Sequence, residues 1–197
     1  MKNLRLLNEG YKKSNIFTGA RGQYLLNGKK KYLDLSFGAG TLLLGHQSKI
    51  FLKSVKDITS KKISLIATPN KEAINYSNIL AKFLKNYSKF IFCNTGSEAI
   101  LKSIRISNAI SNKKLIVCVT GSWHGSVDRT LFTTNRSLKS MPISSGLTDY
   151  NLKNLRFIPY NNIGKSKKIL EKIKNKISCV LIEPIQASLP QRDVKNY

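Results

Sequence analysis

The sequence predicts an α/β fold, a mostly parallel sheet with helices on both faces, preceded by a small N-terminal β-containing segment. Two observations lead to this prediction. Solid apolar runs, "LIVCVT" from Leu115 and "ISCVLIE" from Ile177, alternate with stretches of helical periodicity. Such continuous runs are typical of parallel strands that are buried on both faces. Unusual polar and aromatic residues also follow the carboxyl ends of these strands, where open α/β sheets bind ligands.

The N-terminal segment contains a hairpin signal. Over residues 22–36, two apolar-bearing runs flank Asn27-Gly28. This dipeptide favours a type I′ turn, in which both central residues have positive φ. A glycine-rich stretch, "FGAGTLLLGH", follows, and then a helix is predicted from about Ser48 to Lys61.

The middle of the chain predicts a helix, a strand and a second helix. Thr68-Pro69-Asn70 indicates a helix start. Small or apolar side chains then recur at helical spacing at Ala73, Ile74, Ser77, Leu80, Ala81 and Leu84. A strand is predicted over 89–93 and a helix over 97–110. The inner face of that helix carries Ile100, Leu101 and Ile104, with Asn108 as a further candidate.

The last part of the chain continues the alternation of strands and helices. A strand is predicted over 115–120, and a polar stretch over 133–154 separates it from a strand near 156–158. A basic helix over 162–176 and a strand over 177–183 complete the pattern.

The charge of the chain is its oddest bulk property. The 197 residues include 34 Lys and Arg against 10 Asp and Glu, a net charge of +24. A basic nucleic-acid-binding α/β domain is therefore the alternative hypothesis. The basic residues are mostly lysines scattered in pairs, without an arginine-rich stripe or an RNA-binding aromatic motif, which fits a lysine-rich composition spread over solvated faces. The same positive field would help an anionic cofactor or substrate to bind.

Cellular location is inferred from what the sequence lacks. No apolar run reaches the roughly 18 residues that a membrane span needs, and the N-terminus does not resemble a secretory signal. The three cysteines, Cys93, Cys118 and Cys179, are widely spaced in apolar runs. We interpret them as reduced core thiols and expect no metal site and a cytoplasmic protein.

The first candidate site is the turn at Gly96 and Ser97. A glycine and a serine at a helix start can present backbone N–H groups and a hydroxyl to a phosphate. An ordinary N-cap by Thr95 or Ser97 explains the same residues. The turn matches neither GxxxxGK[ST] nor GxGxxG, which argues against nucleoside triphosphates and dinucleotides.

Two further candidates follow neighbouring strands. Trp123 can offer a flat face to a planar ligand or can cover the core at the sheet edge. His124 is a candidate general base, although a supporting hydrogen-bond role fits it better. Glu183 follows a strand that is predicted to be buried, and Pro184 ends that strand. Because a buried carboxylate is costly, Glu183 either faces a polar site or is an exposed carboxylate at the strand end.

At this point the chain resembles a known family. The segments "FCNTGSEAILKSIRISNAIS", "GSWHGSVD" and "LIEPIQAS", in this order, are similar to class-III aminotransferases, which bind pyridoxal 5′-phosphate and include glutamate-1-semialdehyde aminomutase. The opening "GQYLLNGKKKYLDLSFGAGTLLLGH" resembles the start of the same family.

The resemblance implies roles for the candidate residues. Gly96 and Ser97 would hold the cofactor phosphate. Trp123 would stack on the pyridine ring, where the family more often has tyrosine or phenylalanine, and His124 and Gly125 complete that motif.

The resemblance also implies that Glu183 supports the cofactor from behind and that the fold is that of type I pyridoxal-phosphate transferases. Residues 1–62 would then form part of a small domain and 63–197 part of the large cofactor-binding domain. The family implies amino, keto or aldehyde substrates and a homodimer.

The sequence departs from the family pattern at its end. Pyridoxal chemistry needs a Schiff-base lysine and a carboxylate at the pyridine nitrogen. Both are expected beyond Tyr197, and the surroundings of Lys195 do not suit a substitute. Ser188 also stands where some members carry a glutamate. We therefore expect a truncated, catalytically incompetent chain; a non-catalytic remnant that pairs with a full-length relative is a further alternative.

Overall fold

The computed structural model describes residues 16–61, 68–135 and 137–186, with the side chains of Asp149 and Asn151 left out. Lys195 and Ser188 therefore lie outside the described residues, as does the predicted domain boundary at residue 62. The chain forms two compact units, divided between Ser88 and Lys89.

The first unit contains an antiparallel sheet of three short strands in the order β1-β2-β3. These are β1 (Gly19–Arg21), β2 (Tyr24–Asn27) and β3 (Lys30–Leu33). The predicted hairpin is confirmed, but its turn is shifted by one residue. Asn27 pairs with Lys30, so the central residues are Gly28 and Lys29. Only Gly28 of these two has a positive φ, of 57°, which argues against the expected type I′ turn.

The glycine-rich stretch winds a single left-handed turn over Phe37–Gly40. Phe37 has a φ of 44° and Ala39 a φ of 56°, a conformation that costs L-residues about 1–2 kcal/mol each. Asp34 stabilises the turn because its Oδ1 accepts hydrogen bonds from the N–H groups of Ser36 and Phe37. Its Oδ2 lies 2.7 Å from His46 Nε2.

Two helices follow in the first unit, both at the predicted places. Helix α1 (Lys49–Ser60) is capped by the Ser48 side chain, and α2 (Lys71–Phe83) by the Asn70 side chain. Neither helix contains a buried side chain, and Asp34 is the one buried residue among those described in this unit.

The second unit contains the predicted parallel sheet. Its strands are β4 (Leu115–Val119), β7 (Leu155–Ile158) and β8 (Ile177–Leu181), in the order β7-β4-β8. All five residues of the central strand β4 are buried, which explains why this run is apolar at every position.

Helices cover both faces of this sheet, as predicted. On one face Ile104 of α3 (Gly96–Ser111) is fully buried against Ile116 and Cys118. On the other face, residues of α4 (Ile163–Ile173) pack against Val117, Val119 and Ile158. Packing in this core therefore determines the positions of the carboxyl ends of β4 and β8 and of the first turn of α3.

Three sequence expectations differ from the structure. Residues 89–93 are not a regular strand, since a strand needs a hydrogen-bonded neighbour and no described strand pairs with them. The polar stretch conceals a hairpin, β5 (Phe132–Thr134) with β6 (Ser140–Pro142). Leu101, expected on the inner face of α3, is 40% exposed.

Within the described residues, no helix is both long and apolar enough to cross a membrane.

Candidate functional site

The site is built around the first turn of α3. Thr95 is the N-cap, and its Oγ1 accepts a hydrogen bond of 3.1 Å from the Glu98 N–H group. Glu98 reaches back to accept from the Asn94 N–H group at 3.0 Å. This reciprocal cap confirms the capping interpretation for Thr95. Among the described residues, the N–H groups of Gly96 and Ser97 meet no acceptor, so the cap leaves two donors open.

The loop after β4 is joined to this turn by one hydrogen bond. The Ser126 N–H group donates to Ser97 Oγ at 2.9 Å. Gly125, with a φ of 76°, makes the approach possible, because a Cβ there would lie 2.5 Å from Ser97 Oγ and 2.9 Å from Ser97 Cα. The loop and the helix start therefore approach each other more closely than a residue with a Cβ at position 125 would allow.

Glu183, which follows β8, forms a second hydrogen bond to the same loop. Glu183 Oε2 accepts a hydrogen bond of 3.1 Å from the Trp123 N–H group. The Trp123 side chain is 50% exposed, so its ring retains a solvent-facing surface for a planar group. Glu183, Trp123 and Ser97, which the sequence placed at three separate segments, are therefore linked through residues 123–126.

His124 is buried, at 7% exposure. Its Nε2 lies 2.8 Å from Ser122 Oγ, and the Ser122 hydroxyl donates to the Val119 carbonyl at 2.6 Å. Because the serine proton is used there, the imidazole must be the donor to Ser122 and carries its proton on Nε2. Burial lowers the pKa of His124 while the Glu183 carboxylate raises it. His124 is therefore a buried imidazole, with a lowered pKa, that hydrogen-bonds within its own loop.

Sequence reasoning missed three residues of this arrangement. Gln186, at 3% exposure, donates from Nε2 to the Thr120 carbonyl at 2.8 Å. Ser122 orients His124, and Ser126 bonds to Ser97. All three residues fall inside the motifs quoted above. The roles of Ser126 and Gln186 depend on contacts with residues distant in sequence, whereas Ser122 contacts residues of its own loop and of the strand end before it.

The arrangement can bind an anion beside a planar group. Two open N–H donors at a helix start attract negative charge. Lys102, on the same helix, is engaged with Glu98 at 2.7 Å, and this contact raises the pKa of Lys102. The lysine is therefore held protonated, which suits it to electrostatic attraction and not to nucleophilic attack.

Comparison with known proteins decides the family. Residues 8–189 match the model of the family described as aminotransferase class-III. The chain belongs to the class-III aminotransferase family.

This class-III aminotransferase chain is similar to curated and solved relatives. It is 29% identical over 194 residues to glutamate-1-semialdehyde 2,1-aminomutase of Archaeoglobus fulgidus, covering 92% of this chain and 45% of the relative. The structure resembles an omega-transaminase from Sphaerobacter thermophilus with a TM-score of 0.78 and 21% identity, over 88% of this chain and 42% of that one. The class-III chain thus spans less than half the length of these relatives.

A third similar protein is a glutamate-1-semialdehyde aminomutase variant from Pseudomonas aeruginosa PAO1 in complex with PMP. Its TM-score is 0.73 at 16% identity, over 87% of this chain and 38% of that one. These structural likenesses confirm the predicted type I transferase fold.

Proposed function

We propose that the chain forms part of a pyridoxal-phosphate-dependent enzyme that moves amino groups, an aminotransferase or a glutamate-1-semialdehyde 2,1-aminomutase-like enzyme. Its second unit would supply the phosphate seat. The observation that carries this proposal is the Ser126–Ser97 hydrogen bond of 2.9 Å. It joins the loop that bears Trp123 to the helix start with open N–H donors.

In this proposal the phosphate binds at Gly96 and Ser97. Their N–H groups and the positive end of α3 favour a dianion, and the Ser97 hydroxyl proton is available to it because its oxygen accepts from Ser126. Gly125 is required for the close approach, since a Cβ there would lie 2.5 Å from Ser97 Oγ and clash with it.

Trp123, His124 and Glu183 then orient the ring. The Trp123 side chain would lie against the pyridine ring, with its backbone fixed by Glu183. His124 holds the loop through Ser122 and keeps its proton on Nε2. When bound, pyridoxal phosphate supplies the electron sink that makes amino-group transfer possible.

The reacting groups belong to the whole enzyme, for which we propose a Schiff-base lysine and a pyridine-nitrogen carboxylate outside the described site. A small amino, keto or aldehyde compound would be the substrate, and a homodimer the assembled form. The exposed apolar side chains of the second unit, including Ile182 at 50% and Ile185 at 67%, support burial against further protein. Free cysteines at positions 93, 118 and 179 suit a cytoplasmic protein.

The phosphate seat can be tested with the chain's single tryptophan. Pyridoxamine 5′-phosphate is the probe, because it has no aldehyde to react with surface lysines. We expect saturable quenching of Trp123 fluorescence by this probe, and weaker quenching by pyridoxamine, which lacks the phosphate. Ser97→Asp should weaken binding about tenfold or more, since charged hydrogen bonds are worth about 1.5–3 kcal/mol.

Ser103→Asp is the matched control, because it adds the same charge at an exposed position further along α3. It should leave the affinity within about twofold, since the dipole effect fades beyond the first turn. Equal quenching by probes with and without phosphate, or equal effects of the two substitutions, would contradict the phosphate seat.

A nucleic-acid-binding role, the alternative raised by the charge of +24, is not favoured by the family or by its relatives. A non-catalytic partner of a full-length relative remains compatible with this site, and co-purification with such a relative would distinguish it.

A further inference from the structure

We propose a second anion site in the second unit, for a small phosphomonoester that carries a planar group. It is a polar cavity of about 370 Å³, at the opposite end of the sheet from Ser97. The cavity lies where α3 ends and where β4 and β7 begin. It is lined by Asn108, Asn112, Lys113, Lys114, Arg129, Tyr150 and Asn154.

The charges on the described part of the lining are all of one sign. Lys113, Lys114 and Arg129 contribute three cations, and none of the described carboxylates lies on the cavity wall. Within the described parts of the chain, none of the three is ion-paired. The carboxyl end of α3 offsets only about half a charge. Three cations around one cavity repel each other, and a bound dianion would remove that cost.

Arg129 is held in place by a polar network under the cavity. In the amide orientation that satisfies its neighbours, Asn108 donates to Ser178 Oγ at 2.7 Å and to the Lys113 carbonyl at 3.2 Å. Its oxygen then accepts from Arg129 Nη1 at 3.3 Å. One guanidinium nitrogen is thus anchored, and the remaining N–H groups form the fork that binds phosphate oxygens in pairs.

The rim of the cavity suits a planar substituent. Tyr150 is 82% exposed, which leaves its ring face free for stacking. Asn112 and Asn154 offer both donors and acceptors beside it. The volume falls within the roughly 300–1,000 Å³ of small-molecule sites. A nucleoside monophosphate has this combination of dianion and ring.

The test is calorimetric titration of the chain with AMP, inorganic phosphate and adenosine. We expect AMP to bind saturably, phosphate to bind several-fold more weakly, and adenosine not to bind. Arg129→Gln should weaken AMP binding about tenfold or more. Lys172→Gln removes the same charge from an exposed position on α4 and should change the affinity less than twofold.

Two measurements keep the outcomes separable. Ser97→Asp should leave AMP binding unchanged, which separates this cavity from the proposed cofactor site. If the Arg129→Gln variant fails to fold, Lys114→Gln is used in its place, because Lys114 is an exposed residue of the same cavity. No saturable AMP binding, equal losses for Arg129→Gln and Lys172→Gln, or tight binding of single-stranded RNA without AMP binding would overturn the proposal.

Discussion

Gly125 is the residue on which the geometry of the site depends most directly. Its φ is 76°, and a Cβ at this position would lie only 2.5 Å from Ser97 Oγ, which leaves no room for a side chain. Gly125→Ala should destabilise the second unit by about 2 kcal/mol or more, from the left-handed backbone and from the clash. Denaturant unfolding measures this change, and binding of pyridoxamine 5′-phosphate should be lost with it.

Gly146→Ala is the control for that substitution. A Cβ at Gly146 meets nothing within 4 Å, and its φ lies outside the left-handed range. We expect a change within about 0.5 kcal/mol. Equal destabilisation by the two substitutions would show that the contact with Ser97 is unimportant.

His124 and Glu183 provide a second test at the scale of the residue. Since Glu183 raises the pKa of His124 against the effect of burial, Glu183→Gln should lower that pKa further. An NMR titration of the two histidines measures it. Glu171→Gln, on an exposed glutamate paired with Lys174, should leave it unchanged. An unchanged His124 pKa in Glu183→Gln would contradict the electrostatic coupling.

The pKa shift of His124 also fixes the sign of a pH effect on stability. The folded pKa lies below the unfolded value of about 6.5. The unfolded chain therefore takes up a proton first as the pH falls. The contribution of His124 to the free energy of unfolding is therefore fully present above pH 6.5 and is lost as the pH falls below that value.

At the scale of the element, the first turn of α3 combines two tasks that separate experimentally. The Thr95 hydroxyl satisfies the Glu98 N–H group, whereas the N–H groups of Gly96 and Ser97 meet no acceptor among the described residues. Thr95→Ala should cost about 1 kcal/mol of unfolding free energy. It should weaken binding of pyridoxamine 5′-phosphate less than Ser97→Asp does.

Thr95→Ser keeps an accepting hydroxyl and is the matched control. It should retain nearly all of the stability, because serine is as good an N-cap as threonine. If Thr95→Ser and Thr95→Ala lose equal stability in urea unfolding, the cap does not account for the helix start.

At the scale of the whole molecule, prediction from sequence succeeded where the signal is local. The helix starts near Ser48 and Asn70 and the cap at Thr95 were each predicted from polar residues before a periodic run. The solid run of β4 follows from burial on both faces. The sequence could not reveal that residues 89–93 have no partner strand among those described, because pairing depends on residues distant in the chain.

The same reason explains what was missed at the candidate site. Gly96, Ser97, Trp123 and Glu183 are visible as unusual residues at element ends. The bond from Ser126 to Ser97 joins residues 29 apart, and that from Trp123 to Glu183 residues 60 apart. The hairpin at 132–142 was missed because its two strands of three residues each are too short for a period-two pattern.

The final prediction concerns the chain as a whole and its reactivity with pyridoxal phosphate. Lys102, the lysine on α3, has a raised pKa because of Glu98, and the described hydrogen bonds of Ser97 Oγ and of the Trp123 N–H group do not involve a lysine. Borohydride reduction of the 197-residue chain with pyridoxal phosphate should therefore label many surface lysines at low yield. Peptide mass spectrometry measures how the label is distributed among the lysines. Acetylation of the same lysines provides the reference for their general accessibility. Stoichiometric labelling of one lysine, suppressed by pyridoxamine 5′-phosphate, would mean that this chain carries its own reactive amine.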